Sequence, residues 1–277
     1  MSGTLPDQPV HWDAGEPPPH APQAPADPWT ALRRHTPARI SLGRAGTSLP
    51  TAEVLRFAAA HAAARDAVHL PLDVAALLAD LRTHGFEAST ATSRAASRVA
   101  YLTRPDLGRQ LAPAAADALA GEGDGGLCIV VADGLSAIAA QRHAAPLLAA
   151  LRDGGVVADR LVVATQARVA LGDAIGERVG ASQVLVLIGE RPGLSSPDSL
   201  GAYLTWQPAV GRVDSERNCV SNIRPQGLAL PAAAGRIAWL VREAQRRRVT
   251  GIALKDDSDL ASLGRDGTPP ALPDDGA

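Results

Sequence analysis

Three short apolar runs, separated by segments of helix length, constrain the fold of this 277-residue chain more than any other feature. They are residues 127–131 (LCIVV), 161–164 (LVVA) and 184–188 (VLVLI). An apolar run of this length without polar alternation is typical of a strand that is buried on both faces of a parallel sheet. Alternation of such strands with helices predicts an α/β fold with a Rossmann-like parallel sheet, flanking helices and right-handed crossovers.

The other elements of this half of the chain follow from the same kind of pattern. Apolar periodicity predicts helices over residues 136–152, 167–179 and 232–248. Two further strands are predicted at residues 202–206 and 251–254.

The preceding part of the chain has a helical pattern instead. Ser48 and Pro50 are typical of a helix start, and residues 54–65 continue with helical spacing. Asp73 begins a second predicted helix, which Gly85 ends. These signals predict a mainly helical N-terminal domain over residues 28–120.

The ends of the chain and the link between its two domains differ in composition. Residues 1–27 are rich in proline and alanine and predict a disordered tail, and residues 257–277 predict a flexible C-terminal tail. Residues 121–126 (GEGDGG) form a glycine- and aspartate-rich hinge, which is typical of a domain boundary. The Rossmann-like domain then covers residues 127–256.

Composition argues against several classes of function. A net charge of −2 provides no attraction to nucleic acid or to an anionic membrane, and 3% aromatic residues are too few for a base-stacking surface. No apolar run approaches the ~20 residues of a membrane-spanning helix. With only Cys128 and Cys219, the chain lacks a disulfide framework, which favours the reducing cytosol.

The strand predicted at residues 184–188 ends in a loop that suits ligand contact. Gly189 and Gly193 permit close backbone approach, and Pro192 stops the strand. Ligands of open α/β sheets bind beyond the carboxyl ends of the strands, so Glu190 and Arg191 are candidate contacts. On spacing alone, an ordinary loop with an exposed ion pair explains the two side chains equally well.

Three other kinds of site fit the sequence poorly. The histidines and cysteines lack zinc spacing, and His61 and His69, two helical turns apart, predict a surface face. Ser136 follows a strand, but the second glycine of a nucleophile elbow is absent, so we interpret Ser136 as a helix cap. The turn at Asp133 and Gly134 lacks the glycine pattern of a dinucleotide site.

Longer motifs resemble a known family. GERPGLSSPDSLGAYLT at residues 189–205 and DSERNCVSNIRPQG at residues 214–227 are similar to signatures of the small subunit of ethanolamine ammonia-lyase. So are ARISLGRAG at residues 38–46, YLTRPDLGR at 101–109 and TGIALKD at 250–256, in the family's order. Several co-linear motifs are far more specific than one glycine pattern.

The resemblance implies a subunit of an adenosylcobalamin-dependent lyase that deaminates ethanolamine and related vicinal amino alcohols by a radical mechanism. It implies a hetero-oligomer of six large and six small subunits, in which the large subunit binds the substrate, so we assign no catalytic residue to this chain. The family's small-subunit contacts to the cofactor map onto Val169, Glu190 and Cys219. Many relatives work inside a bacterial microcompartment.

The chemistry of that cofactor agrees with a carboxylate at position 190. The rim of a corrin carries neutral amides, and Glu190 can accept a hydrogen bond from one of them. No histidine of the chain has an aspartate two residues before it, so the motif that replaces the cofactor's own lower ligand is absent. The resemblance and this absence together imply that the cofactor keeps its dimethylbenzimidazole and that this chain does not ligate cobalt.

Two points stay open at the level of sequence. A scaffold subunit, which assembles with the large subunit without adding cofactor affinity, is the alternative function. Arg94, Arg98, Arg104 and Arg109 carry no assigned role, and we interpret them as subunit contacts.

Overall fold

The computed structural model describes residues 27–36, 38–119, 121 and 125–259. All of the predicted disordered tail at residues 1–27 except Asp27, most of the predicted C-terminal tail and the middle of the hinge lie outside the described residues. The chain divides into two compact units, Met1–Arg56 and Phe57–Ala277.

The described part of the first unit begins with a short 3-10 helix, Pro28–Arg34, in which no residue is buried. The Asp27 carboxylate caps this helix by accepting a hydrogen bond of 3.0 Å from the Trp29 amide. Arg33 donates hydrogen bonds to the carbonyl groups of Ile40 and Ser41. This segment is therefore held by polar contacts of its own residues.

In the second unit the described residues form a six-stranded mixed sheet. Its strands are β1 Ser89–Thr92, β2 Leu127–Ala132, β3 Arg160–Thr165, β4 Gln183–Gly189, β5 Leu200–Trp206 and β6 Arg217–Ile223. The strand order is β1-β3-β2-β4-β5-β6. The first four strands in this order pair in parallel, whereas β5 and β6 continue the sheet antiparallel. The predicted α/β class and parallel sheet are confirmed, with an antiparallel extension at one edge.

Helices cover both faces of the sheet, because its strands are apolar on both. The helices are α1 Thr51–His69, α2 Val74–Thr83, α3 Arg98–Thr103, α4 Pro113–Ala118, α5 Ala137–Asp153, α6 Leu171–Arg178 and α7 Leu230–Arg247. All seven residues of β4 are buried. Leu185 and Leu187 pack into a core with α2, α5 and α7, and Val184 and Val186 pack into a second core with α4 and α6.

The predicted helix starts at Asp73 and Ser136 are confirmed by their capping contacts. Each side chain accepts a hydrogen bond from a backbone amide in the first turn of its helix. Gly85, the predicted end of α2, adopts a φ of +81°, in the left-handed region that favours glycine.

Two predicted elements differ from the structure. Residues 251–254 form a 3-10 turn, Gly251–Ala253, instead of a strand, because Gly251 has a φ of +75° and Asn218 binds both the Gly251 amide and the Leu254 carbonyl. The helix predicted from residue 167 begins only at Leu171, and residues 167–170 form a turn.

Two strands were not predicted. β1 consists of small, mostly exposed residues, so it lacks an apolar run. β6 (RNCVSNI), at the edge of the sheet, has neither a continuous apolar run nor regular alternation, and it buries only Arg217, Val220 and Ile223.

Candidate functional site

The loop after β2 packs closely against the backbone at the carboxyl end of β4. A Cβ added to Gly134 would lie 2.1 Å from the Gly189 carbonyl oxygen, and a Cβ added to Gly189 would lie 2.0 Å from the Ser136 carbonyl oxygen. The Leu135 amide donates a hydrogen bond of 2.9 Å to the Gly189 carbonyl. The two glycines therefore allow the loop after β2 to close onto the end of β4.

Asp133 shapes the neighbouring turn after β3. Its carboxylate is buried and accepts hydrogen bonds from the backbone amides of Gln166 (2.8 Å) and Ala167 (3.0 Å). Gln166 is held at a φ of +53°. Asp133 thus fixes the turn that carries Arg168 and Val169.

These loops and the start of β5 border a cavity of about 410 Å³. Its lining residues come from α3, the loop after β2, the turn after β3, the end of β4 and β5: Tyr101, Gly134, Leu135, Arg168, Val169, Ile188, Gly189, Glu190, Arg191 and Tyr203. The cavity lies at the carboxyl ends of the parallel strands, where ligands of open α/β sheets bind.

Val169 lines this cavity and is half-buried. The sequence placed it at the start of the helix after β3, but it lies in the turn before α6. The difference arises because Asp133 draws the amides of residues 166 and 167 into a turn.

Glu190 lines the same cavity, and its carboxylate is anchored on one side. Oε2 accepts hydrogen bonds from the Ser199 hydroxyl (2.5 Å) and the Asn222 amide (3.1 Å). No hydrogen bond from the described residues reaches Oε1. A Cβ at Gly201 would lie 2.9 Å from Oε1, so the glycine leaves the space that Oε1 occupies.

Cys219 lies one strand away from the cavity lining. It pairs with Tyr203 in the antiparallel register of β5 and β6, and Tyr203 lines the cavity. Cys219 is exposed at the sheet edge, and partial desolvation of its thiol raises the pKa of the thiol, although a hydrogen bond from Tyr203 opposes the shift. The structure therefore brings Val169 and Glu190 to one cavity and places Cys219 outside the lining, beside Tyr203.

The opposite wall contains an aromatic ring between two guanidinium groups. The guanidinium carbons of Arg98 and Arg168 lie 4.7 Å and 4.3 Å from the centre of the Tyr101 ring. Burial raises the pKa of Tyr101 to about 12, and its hydroxyl donates to the Ala167 carbonyl at 3.1 Å. The hydroxyl of Tyr101 is therefore already committed to the fold.

Sequence reasoning missed Tyr101, Arg168 and Tyr203 as cavity residues. For the two tyrosines the available signal was the rarity of this residue type, because the chain has only two tyrosines and both line the cavity.

Arg98 departs from its interpretation as a subunit contact. Its guanidinium donates to the Val68 and Gly134 carbonyls, both at 2.8 Å, and its side chain is only 11% exposed. Arg104 is exposed and pairs with Asp106 instead.

The rejected kinds of site remain unsupported. Ser136 is buried, and its hydroxyl donates to the Pro197 carbonyl while capping α5. Among the described residues no group of three His, Cys, Asp or Glu side chains has the arrangement of a metal site. Cys128 and Cys219 are free thiols. Within the same described ranges, no helix has both the length and the apolar composition to cross a membrane.

Comparison with known proteins gives a family match over most of the chain. Residues 26–255 match the family "Ethanolamine ammonia-lyase light chain (EutC)". The ethanolamine ammonia-lyase small subunit of Ralstonia nicotianae is 54% identical over 246 residues, which cover 86% of this chain and 91% of the relative. The small subunits of Azotobacter vinelandii and Bradyrhizobium diazoefficiens are also 54% identical, over 88% and 89% of this chain and 94% and 97% of the relatives.

Proposed function

The chain belongs to the ethanolamine ammonia-lyase light-chain family, and we propose that, as the small subunit of this carbon–nitrogen lyase, it helps to hold adenosylcobalamin at the interface with the large subunit. The complex deaminates ethanolamine to acetaldehyde and ammonia, and the cofactor when bound supplies the radical chemistry. The large subunit binds the substrate. This chain contributes no catalytic residue.

The free carboxylate oxygen of Glu190 is the observation that carries the proposal. Ser199 and Asn222 orient the carboxylate through Oε2, and Oε1 keeps its capacity to accept a hydrogen bond at the cavity. A peripheral amide of the corrin presents an N–H donor of matching chemistry. Val169 supplies apolar cover in the same cavity, and Cys219 pairs with the lining residue Tyr203 on the neighbouring strand.

The size of the cavity fits one edge of the cofactor. At about 410 Å³ it is much smaller than a whole cobalamin, so the rest of the cofactor lies against the large subunit. Gly134 and Gly189 let the loop after β2 pack against the end of β4 beside the cavity, and Gly201 leaves the space that Glu190 Oε1 occupies, because a Cβ at these positions would meet neighbouring atoms at 2.1, 2.0 and 2.9 Å.

The cavity lining contains no histidine. In our proposal the cofactor therefore keeps its dimethylbenzimidazole as lower ligand, and this chain touches only its periphery. We propose an assembly of six large and six small subunits that works in the cytosol, with or without an enclosing microcompartment.

Cofactor titration of the co-expressed complex tests the proposal. We expect Glu190→Gln, which keeps the shape of the side chain and removes its charge, to weaken adenosylcobalamin binding about three- to tenfold with an unchanged KM for ethanolamine. Glu87→Gln, at an exposed glutamate outside the cavity, is the matched control. Equal cofactor affinity in Glu190→Gln and wild type would contradict the role of Glu190.

The scaffold alternative is tested without any substitution. If the small subunit only assembles, the large subunit alone binds adenosylcobalamin as tightly as the complex. We expect the isolated large subunit to bind more weakly, and this chain alone to show no lyase turnover.

A further inference from the structure

The two tyrosines of the cavity differ in how their hydroxyl groups are used. The Tyr101 hydroxyl donates to the Ala167 carbonyl at 3.1 Å, so it is committed to the fold. No oxygen or nitrogen atom of the described residues forms a hydrogen bond with the Tyr203 hydroxyl; its hydrogen-bonding neighbour is the thiol of Cys219. Because sulfur is a weak acceptor, the phenol keeps most of its capacity to donate.

Tyr203 and Glu190 lie beside each other at the cavity. A Cβ at Gly201 would lie 2.9 Å from Glu190 Oε1 and 3.1 Å from Tyr203 Cε2, so both side chains converge on the space that this glycine leaves. Tyr203 is half-buried, and burial raises its pKa, with Cys219 and Glu190 adding to the shift. The phenol is therefore protonated at every physiological pH and remains a donor.

We propose that Tyr203 is a further cofactor-positioning residue, which donates a hydrogen bond to the carbonyl oxygen of the same peripheral carboxamide whose N–H group Glu190 accepts. This inference rests on the proposed function. A primary carboxamide has one acceptor oxygen and two N–H donors, and the cavity presents the Tyr203 hydroxyl, engaged among the described residues only by the Cys219 sulfur, beside Oε1 of Glu190. A carboxylate in place of the amide would face Glu190 with a like charge, so Glu190 disfavours an anionic group at its own position.

Neighbouring contacts hold this pair in place. Ser199 and Asn222 fix the carboxylate of Glu190, and the register of β5 and β6 sets Tyr203 opposite Cys219. The Glu190 carboxylate is thus already oriented before a ligand enters, which favours recognition of a group of fixed geometry.

The test is Tyr203→Phe in the assembled enzyme of large and small subunits. We expect adenosylcobalamin affinity to fall about three- to tenfold. Thr83→Val removes a hydroxyl at the end of α2, outside the cavity, and serves as control with an affinity within twofold of wild type. Tyr203→Met removes both ring and hydroxyl while keeping a flexible apolar side chain, and it should weaken binding at least as much if Tyr203→Phe does not assemble.

The outcomes separate this inference from the proposed function. Weaker binding by Tyr203→Phe, with a thermal unfolding midpoint like that of wild type, supports the carboxamide pair. Wild-type affinity in Tyr203→Phe, together with weaker binding by Glu190→Gln, overturns the role of Tyr203 and leaves the proposed function standing. Wild-type affinity in both variants overturns both.

Discussion

The Asp173 carboxylate accepts a hydrogen bond of 2.6 Å from the Arg217 guanidinium, and the two side chains are 1% and 2% exposed. Asp173 lies in α6 and Arg217 begins β6, so this buried pair joins a helix to the edge of the sheet. Arg217 also donates to the Thr205 hydroxyl and the Arg212 carbonyl. Two residues after Arg217, the same strand carries Cys219.

Breaking this pair should destabilise the fold. Asp173→Asn leaves the buried guanidinium with only the fully exposed Asp214 carboxylate, 3.6 Å from its Nε, as counter-charge, and we expect the free energy of unfolding to fall by about 3 kcal/mol in urea titrations. Asp106→Asn removes the partner of exposed Arg104 and should leave the unfolding midpoint unchanged. Equal stability of the two variants would show that the buried pair contributes no more than an exposed one.

The close contact of Gly189 with the loop after β2 predicts that a side chain at this position destabilises the fold. A methyl group at Gly189 would meet backbone atoms that cannot rotate away, so Gly189→Ala should lower the free energy of unfolding by about 3 kcal/mol. Gly235 lies in α7 with no atom within 4 Å of an added Cβ, and Gly235→Ala should stabilise the chain by up to about 1 kcal/mol. Thermal unfolding of the two variants checks these opposite signs.

Ser136 should matter for stability rather than chemistry. Its hydroxyl caps α5 and holds the Pro197 carbonyl, so Ser136→Ala should lower the free energy of unfolding by about 1–2 kcal/mol. Lyase turnover of the assembled enzyme at saturating cofactor should persist. Loss of turnover in a variant that still folds and assembles would indicate that Ser136 acts as a nucleophile.

The thiol of Cys219 should react slowly and at unusually high pH. Burial raises its pKa above the ordinary value of 9.0, which lowers the thiolate fraction at neutral pH, and the thiolate is the reactive form. The alkylation rate of the cofactor-free complex should therefore keep rising above pH 9, where an ordinary thiol levels off. Mass spectrometry identifies the modified residue, and Cys219→Ser is the control. A rate that levels off below pH 9 would contradict the raised pKa.

Much of the fold was predictable because its strands are buried on both faces. The runs at residues 127–131, 161–164 and 184–188 are continuous apolar segments, and each is a strand of the parallel part of the sheet. The antiparallel edge was harder. β6 has no apolar run and no regular alternation of polarity, and its place depends on pairing with β5, which no local pattern reveals.

The candidate site was predictable where a strand ends in glycine. Glu190 follows Gly189 directly, so position alone sets it at the carboxyl edge of the sheet. Tyr203 lies inside an apolar strand pattern and reaches the cavity only because β5 runs antiparallel beside β4. The turn holding Val169 depends on a contact with Asp133, more than thirty residues earlier, and helix periodicity could not detect it.

The tethering of Glu190 through Oε2 has an entropic consequence. A glutamate without such contacts loses its rotamer freedom when it binds a ligand, at a cost on the order of 1–2 kcal/mol. Here Ser199 and Asn222 impose that restriction as the polypeptide folds. The carboxylate of Glu190 is therefore preorganised, and binding of a ligand carries no further entropic cost for orienting it.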